Sequence, residues 1–67
     1  MEHAARLTEE GSLRLFGHEV YGRWESLGGL RVRVQLRSDG WAYTVSREWD
    51  GLVLGQIVPP ACFEVED

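Results

Sequence analysis

The sequence predicts a small all-β domain: five or six short strands wound into a barrel or a strongly bent antiparallel sheet. Three observations carry this. In residues 30–37, Leu30, Val32, Val34 and Leu36 alternate with Arg31, Arg33, Gln35 and Arg37, which is the period of a half-buried strand. Asp39-Gly40 and Asp50-Gly51 fall between apolar runs, where hairpin turns belong. No segment offers a helical apolar repeat long enough to compete.

Taken in order, residues 1–11 are rich in Ala, Glu and Arg and end at Gly11. They read as a short helical turn stopped by that glycine, or as a disordered tail. From Ser12 the period changes to two, and Leu13 and Leu15 suggest a first short strand. Glu19 to Leu27 is an irregular extended segment around Gly22, broken by Gly28-Gly29. After the strand at 30–37, Asp39-Gly40 as a two-residue loop would oppose Leu36 to Tyr43, Val34 to Val45 and Arg31 to Glu48. The last of these is a favourable cross-strand charge pair. Trp41 to Arg47 is the return strand. Asp50-Gly51 turns the chain again, and Leu52 to Val58 follows with Gly55 as a bulge or bend. Pro59-Pro60 ends that strand, since neither residue can donate a ladder bond. Ala61 to Val65 forms a last short strand before an acidic end.

Sixty-seven residues make one domain, 1–67, in which 1–11 is the flexible or helical terminus and 12–67 the β-structure. A core this small yields only about 3–5 kcal/mol. One cysteine allows no internal disulfide; three Trp, two Tyr and two Phe help, since each can bury roughly 150–250 Å². Self-association as a homodimer would add stability. No apolar run approaches the roughly 20 residues of a membrane span. With no export signal and a single Cys, a cytoplasmic location is expected.

Net charge is −4, and it is unevenly spread. Residues 1–37 hold six arginines against five acids, residues 38–67 one arginine against six acids. The acidic half suits a partner with a basic patch, or else only keeps the chain in solution. All seven basic residues are arginine, which hints at GC-rich coding in a bacterium or its phage. It also leaves no lysine for Schiff-base or P-loop chemistry.

Residues 24–65 resemble a Src-homology-3 domain. Trp24-Glu25-Ser26-Leu27-Gly28-Gly29-Leu30-Arg31-Val32-Arg33-Val34 is similar to that family's E-L-S-F-x-x-G-D-x-I-x-V stretch. Asp39-Gly40-Trp41-Ala42 sits where the family has D-G-W-W, and Asp50-Gly51 would be its distal hairpin. Gly55-Gln56-Ile57-Val58-Pro59-Pro60 with Phe63-Glu64-Val65 resembles its G-x-x-P-S-N-Y-V ending. The A-L-Y-D-Y opening is missing, Ala42 replaces the second tryptophan, and Cys62 stands where the family has a tyrosine. The resemblance implies a small SH3-like barrel. Of the family's groove for proline-rich peptides only Trp41 and Pro59 carry over.

The chemistry-bearing residues are sparse, and no catalytic residue is assigned. His3 and His18 are far apart, and none of the serines at 12, 26, 38 and 46 lies in a nucleophile motif. Cys62, between apolar neighbours, reads as a small buried hydrophobe with nothing to lower its pKa. No ligand spacing for a metal is present; Glu64, Glu66 and Asp67 read as a solvated acidic end. Gly28-Gly29 is a turn and lacks the Lys and helix of a phosphate loop. No cofactor is expected. Arg31, Arg33 and Arg37 form a basic stripe near Trp41 and Tyr43, but the period places the aromatics on the opposite face. Trp24 and Trp41 fit core or core-edge positions; Trp49 either caps an open barrel end or anchors a partner.

The expected function is therefore non-catalytic protein binding. Trp41, Tyr43, Trp49 and Pro59 would give apolar contact, and Glu48, Asp50, Glu64, Glu66 and Asp67 would meet arginine or lysine on the partner. An alternative is a small acidic phage-encoded inhibitor acting in the host cytoplasm. It would be similar in type to the anti-CRISPR proteins that block a nucleic-acid groove with carboxylates. A second alternative is a single-strand nucleic-acid-binding barrel using the arginine stripe.

Overall fold

A computed structural model describes residues 1–17 and 30–66. The segment read as extended at 19–27, together with His18, Trp24 and Asp67, lies outside the described residues. Five antiparallel strands form one sheet: β1 (Glu2–Leu7), β2 (Arg31–Leu36), β3 (Ala42–Arg47), β4 (Val53–Val58) and β5 (Phe63–Val65), in the order β4-β3-β2-β1-β5. Among the described residues one α-helix, α1 (Glu9–Phe16), follows β1, and one 3-10 turn, Pro60–Cys62, leads into β5. The small all-β class holds, as does the end of β4 before Pro59-Pro60.

The N-terminus corrects the sequence reading twice. Glu2–Leu7 is neither a helical turn nor a free tail but strand β1, placed between β2 and β5. Its alanines favour helix in isolation. Burial of Ala5 and Leu7 and pairing on both sides outweigh that preference. Leu13 and Leu15 lie not on a strand but on α1. Thr8 caps this helix, accepting the Gly11 amide on Oγ1 at 3.2 Å, while Glu9 and Glu10 face its positive end. The helix stops at Gly17, whose φ of 96° suits glycine. Gly11 is not a stop. A Cβ there would collide with the Cys62 carbonyl oxygen, so its bareness lets α1 lie directly on the 3-10 turn.

The core covers one face of the sheet. Ala5, Leu7, Val32, Val34, Ala42, Val58 and Phe63 pack with Leu30 and Cys62, and Leu15, Phe16 and Leu54 close over them. Thr44 is fully buried among them, with its hydroxyl donating to the Gln56 carbonyl at 2.8 Å and accepting the Gln56 amide at 3.2 Å.

The β2–β3 register differs by one residue from the two-residue-loop expectation. Leu36 faces Ala42, Gln35 faces Tyr43 and Val34 faces Thr44. The cause is the turn. Arg37 donates its amide to the Trp41 carbonyl at 2.8 Å, so Ser38, Asp39 and Gly40 form a three-residue loop with Gly40 at φ 90°. A bulge at Val45 then absorbs one residue, and Arg33 faces Ser46 while Val32 faces Arg47. The Glu48 amide meets the Arg31 carbonyl at 2.9 Å, so these two residues do oppose each other, as expected. Their side chains form no ion pair; Arg31 pairs with Glu66 instead. A second irregularity between β3 and β4 falls beside Gly55, whose φ is 68°, matching the bulge expected there.

Candidate binding surface

The corrected register decides which side chains face outward. Because Ala42 and Thr44 take the core positions, Trp41 and Tyr43 stand on the outer face. Trp41, expected in or at the edge of the core, is 38% exposed, and Tyr43 is 36% exposed. Opposite Tyr43 on β4 is Ile57, which is 46% exposed. These three make an outward apolar strip across β3 and β4, with half-buried Pro59 just beyond it. Tyr43 and Gln35 are cross-strand partners, so Tyr43 shares its face with Arg33 and the arginine stripe. The period of the sequence alone places them on opposite faces. The one-residue shift at the turn is the reason.

Trp41 is held by its own turn. Its amide donates to Asp39 Oδ1 at 2.9 Å. Arg37 donates to the same carboxylate from Nε at 3.3 and 3.2 Å and from Nη2 at 3.2 Å. The Arg37 hydrogen bond first, and the Trp41 amide second, hold the Asp39 carboxyl below the usual aspartate value.

The second Asp-Gly turn repeats this design. Leu52 donates its amide to Asp50 Oδ1 at 3.0 Å, and Arg47 Nε donates to the same oxygen at 3.1 Å. The Arg47 bond and then the Leu52 amide lower the Asp50 carboxyl likewise. Arg47 is itself buried. The bulge at Val45 turns it to the inner side, where its guanidinium lies 5.1 Å from the Trp49 ring centre and 5.4 Å from that of Phe16. Trp49 is 46% exposed and rests on this cation. Sequence reasoning missed Arg47, since its inward turn depends on a bulge that no turn residue announces.

The remaining acids lie elsewhere. Trp49, Glu48 and Asp50 sit in the turn beyond the far end of β3, where Arg47 is already roughly 20 Å from Trp41 at ~3.3 Å per strand residue. Glu64 is on β5 and Glu66 just beyond it, at the edge opposite β4. Glu66 bridges Arg6 and Arg31, each at 3.4 Å. The residues expected to form one aromatic and acidic face are thus brought together only at Trp41, Tyr43 and Pro59, with Ile57 added. Ile57 was legible as an exposed partner only once the register was known.

The arginine stripe is matched by carboxylates. Arg31 pairs with Glu66, Arg33 with Glu2 at 3.5 Å, and Arg37 with Asp39. Cys62 is buried, but in the 3-10 turn rather than on a strand. Burial pushes its thiol up, with Glu10 adding to the shift and Arg14 opposing it. Its Sγ donates to Glu10 Oε2 at 3.9 Å. That environment disfavours the thiolate. Among the described residues no three His, Cys, Asp or Glu side chains converge to hold a metal, and no helix is long and apolar enough to cross a membrane.

No family model matches the sequence, and no significant match emerges from the curated proteins or from the solved structures. The likeness to Src-homology-3 domains rests at the coarser level of a small five-stranded antiparallel sheet.

Proposed function

We propose that this chain is a non-catalytic protein-binding module whose contact surface is the outer face of β3 and β4, centred on Trp41 and Tyr43. The observation that carries the reading is the pairing of these two aromatics on one exposed face with Ile57 beside them. Tryptophan and tyrosine are the residues most enriched in binding hot spots. The backbone that carries Trp41 is also fixed by the Asp39 and Arg37 bonds around its turn, which lowers the backbone entropy lost on docking.

The nucleic-acid reading gains from Tyr43 lying on the arginine face, but the charges oppose it. Breaking the surface ion pairs would cost little, about 0–1 kcal/mol each. The obstacle is that Glu2, Asp39 and Glu66 would remain beside any phosphate the arginines reached. A partner protein meets no such repulsion, and the net charge of −4 favours a basic one.

The test is capture of partners from nuclease-treated lysate of a GC-rich bacterium, comparing the wild-type chain with Trp41→Ala/Tyr43→Ala. A protein retained by the wild type and lost from the folded double variant supports the reading. Equal retention by both chains overturns it. Recovery that disappears on nuclease treatment transfers the function to the arginine stripe.

A further inference from the structure

Helix α1 is fastened to the 3-10 turn by its N-terminal end. Thr8 donates its amide to the Cys62 carbonyl at 3.0 Å and its hydroxyl to the Ala61 carbonyl at 2.6 Å. Gly11 lies directly against the same Cys62 carbonyl. The Cys62 thiol, fully buried, donates to Glu10 at 3.9 Å. These contacts are separate from the strand ladders, which pair β1 with β2 and β5, β2 with β3, and β3 with β4 without help from α1.

The docked helix also carries a cost. Ser12 is fully buried, and its hydroxyl has no hydrogen-bond partner. Lifting α1 from the turn returns that hydroxyl to water. Leu15 and Phe16, which close over the core, oppose the lift. A helix of eight residues has little stability of its own. Its position is therefore a balance between these contacts and the buried hydroxyl.

The 3-10 turn also reaches the candidate binding surface. Pro60 Cγ lies 3.6 Å from where a Cβ on Gly40 would stand, and Gly40 precedes Trp41 in the loop between β2 and β3. Two successive prolines, Pro59 and Pro60, have fixed φ. A displacement at Cys62 is thus carried along a stiff segment to the Trp41 loop.

We propose that α1 is a latch on the binding surface. It lifts from the 3-10 turn while the five strands stay paired, and the lift moves Pro60 against Gly40 and changes how Trp41 is presented. As regulation, this rests on the reading of Trp41 and Tyr43 as a contact surface. The latch itself is measured on the chain alone, so failure to capture a partner would remove the surface and leave the latch standing.

Cys62 is the only cysteine, and its burial against α1 makes it the reporter. Its thiolate attacks an aromatic disulfide reagent, forming a mixed disulfide and releasing a coloured aromatic thiolate. In the folded wild type this labelling should run about tenfold or more faster than global unfolding permits, and should depend little on urea below the unfolding transition. Ser12→Ala should slow it about fivefold, because lifting no longer frees a buried hydroxyl. Gly11→Ala, which forces α1 off the Cys62 carbonyl, should speed it about tenfold or more. The same variant should move the Trp41 indole and Gly40 amide in a 1H–15N correlation spectrum, while the Val32 and Val34 amides in the sheet stay in place. Thr8→Val keeps the shape and removes the hydroxyl bonds, and it should act in the same direction where Gly11→Ala fails to fold. Labelling that rises with urea as steeply as global unfolding, a Ser12→Ala chain labelled as fast as the wild type, or a Trp41 indole unmoved while labelling accelerates would each overturn the proposal.

Discussion

The Trp41 amide donates to the Asp39 carboxylate at 2.9 Å, and this bond closes the loop that sets the β2–β3 register from Leu36 to Val34, as far as the bulge at Val45. The Leu52 amide does the same for Asp50 at 3.0 Å. Both carboxyls are held below the ordinary aspartate value by an arginine and a backbone amide. A carboxyl lowered in the folded state contributes stability above its unfolded pKa of about 3.9, and loses it as pH falls through the folded value. Urea midpoints measured from neutral pH downward should therefore hold steady and then fall below about pH 5. Asp39→Asn/Asp50→Asn can still accept both amides, so the double variant should lie below the wild type at neutral pH and converge on it in acid. A constant gap between the two curves down to the most acidic point would remove these aspartates as the cause.

Adjacent positions on α1 should respond in opposite directions. Gly11→Ala gains about 1 kcal/mol of helix propensity, but its methyl would collide with the Cys62 carbonyl. The carbonyl is backbone and cannot swing aside, so a net loss of about 1–3 kcal/mol is expected. Ser12 is buried with no hydrogen-bond partner for its hydroxyl. Ser12→Ala removes that unsatisfied group and improves helix propensity, so a gain of about 1 kcal/mol is expected. Equilibrium urea unfolding of the two variants decides the matter, and a stabilised Gly11→Ala would mean that α1 and the 3-10 turn are not in the contact described.

Thr44→Val should cost about 1–2 kcal/mol, although it is nearly isosteric and adds apolar surface to the core. The hydroxyl both donates to and accepts from the Gln56 main chain, and valine leaves those two groups to pair imperfectly at the sheet edge. Tyr43→Val, one residue away on the outer face, should change stability by less. If the two costs were reversed in urea titrations, Tyr43 rather than Thr44 would face the core, as the two-residue loop would have it.

These contrasts show what was legible in the residues. The strand at 31–36 was readable because Val32 and Val34 alternate with arginines and one face is buried. The ends of β3 and β4 were readable from Asp-Gly and Pro-Pro. What escaped was non-local. The Ala-rich segment at 2–7 becomes a strand only because β2 and β5 flank it. The signals for α1, a Thr8 cap and a Gly17 stop, are present in the sequence, but Gly11 between them reads as a terminator. Its real role depends on Cys62, far away in the chain. Likewise, Asp39-Gly40 announced a turn but not its length, and a difference of one residue moved Trp41 and Tyr43 from the core to the surface.

Arg47 provides the last prediction, because three features meet on its guanidinium: the Asp50 carboxylate, the Phe16 ring and the Trp49 ring. Lysine keeps the charge but loses the planar group that stacks and forks. Arg47→Lys should therefore destabilise the fold by about 1–2 kcal/mol, chiefly through the two ring contacts. It should also release Trp49. In a 1H–15N correlation spectrum the Trp49 indole resonance should move toward its unfolded-chain position, while the Trp41 indole, at the far end of β3, stays where it is. Movement of both indoles together would indicate a general loosening of the sheet. An unmoved Trp49 resonance with unchanged stability would mean that the charge alone suffices and that the stacking contributes nothing.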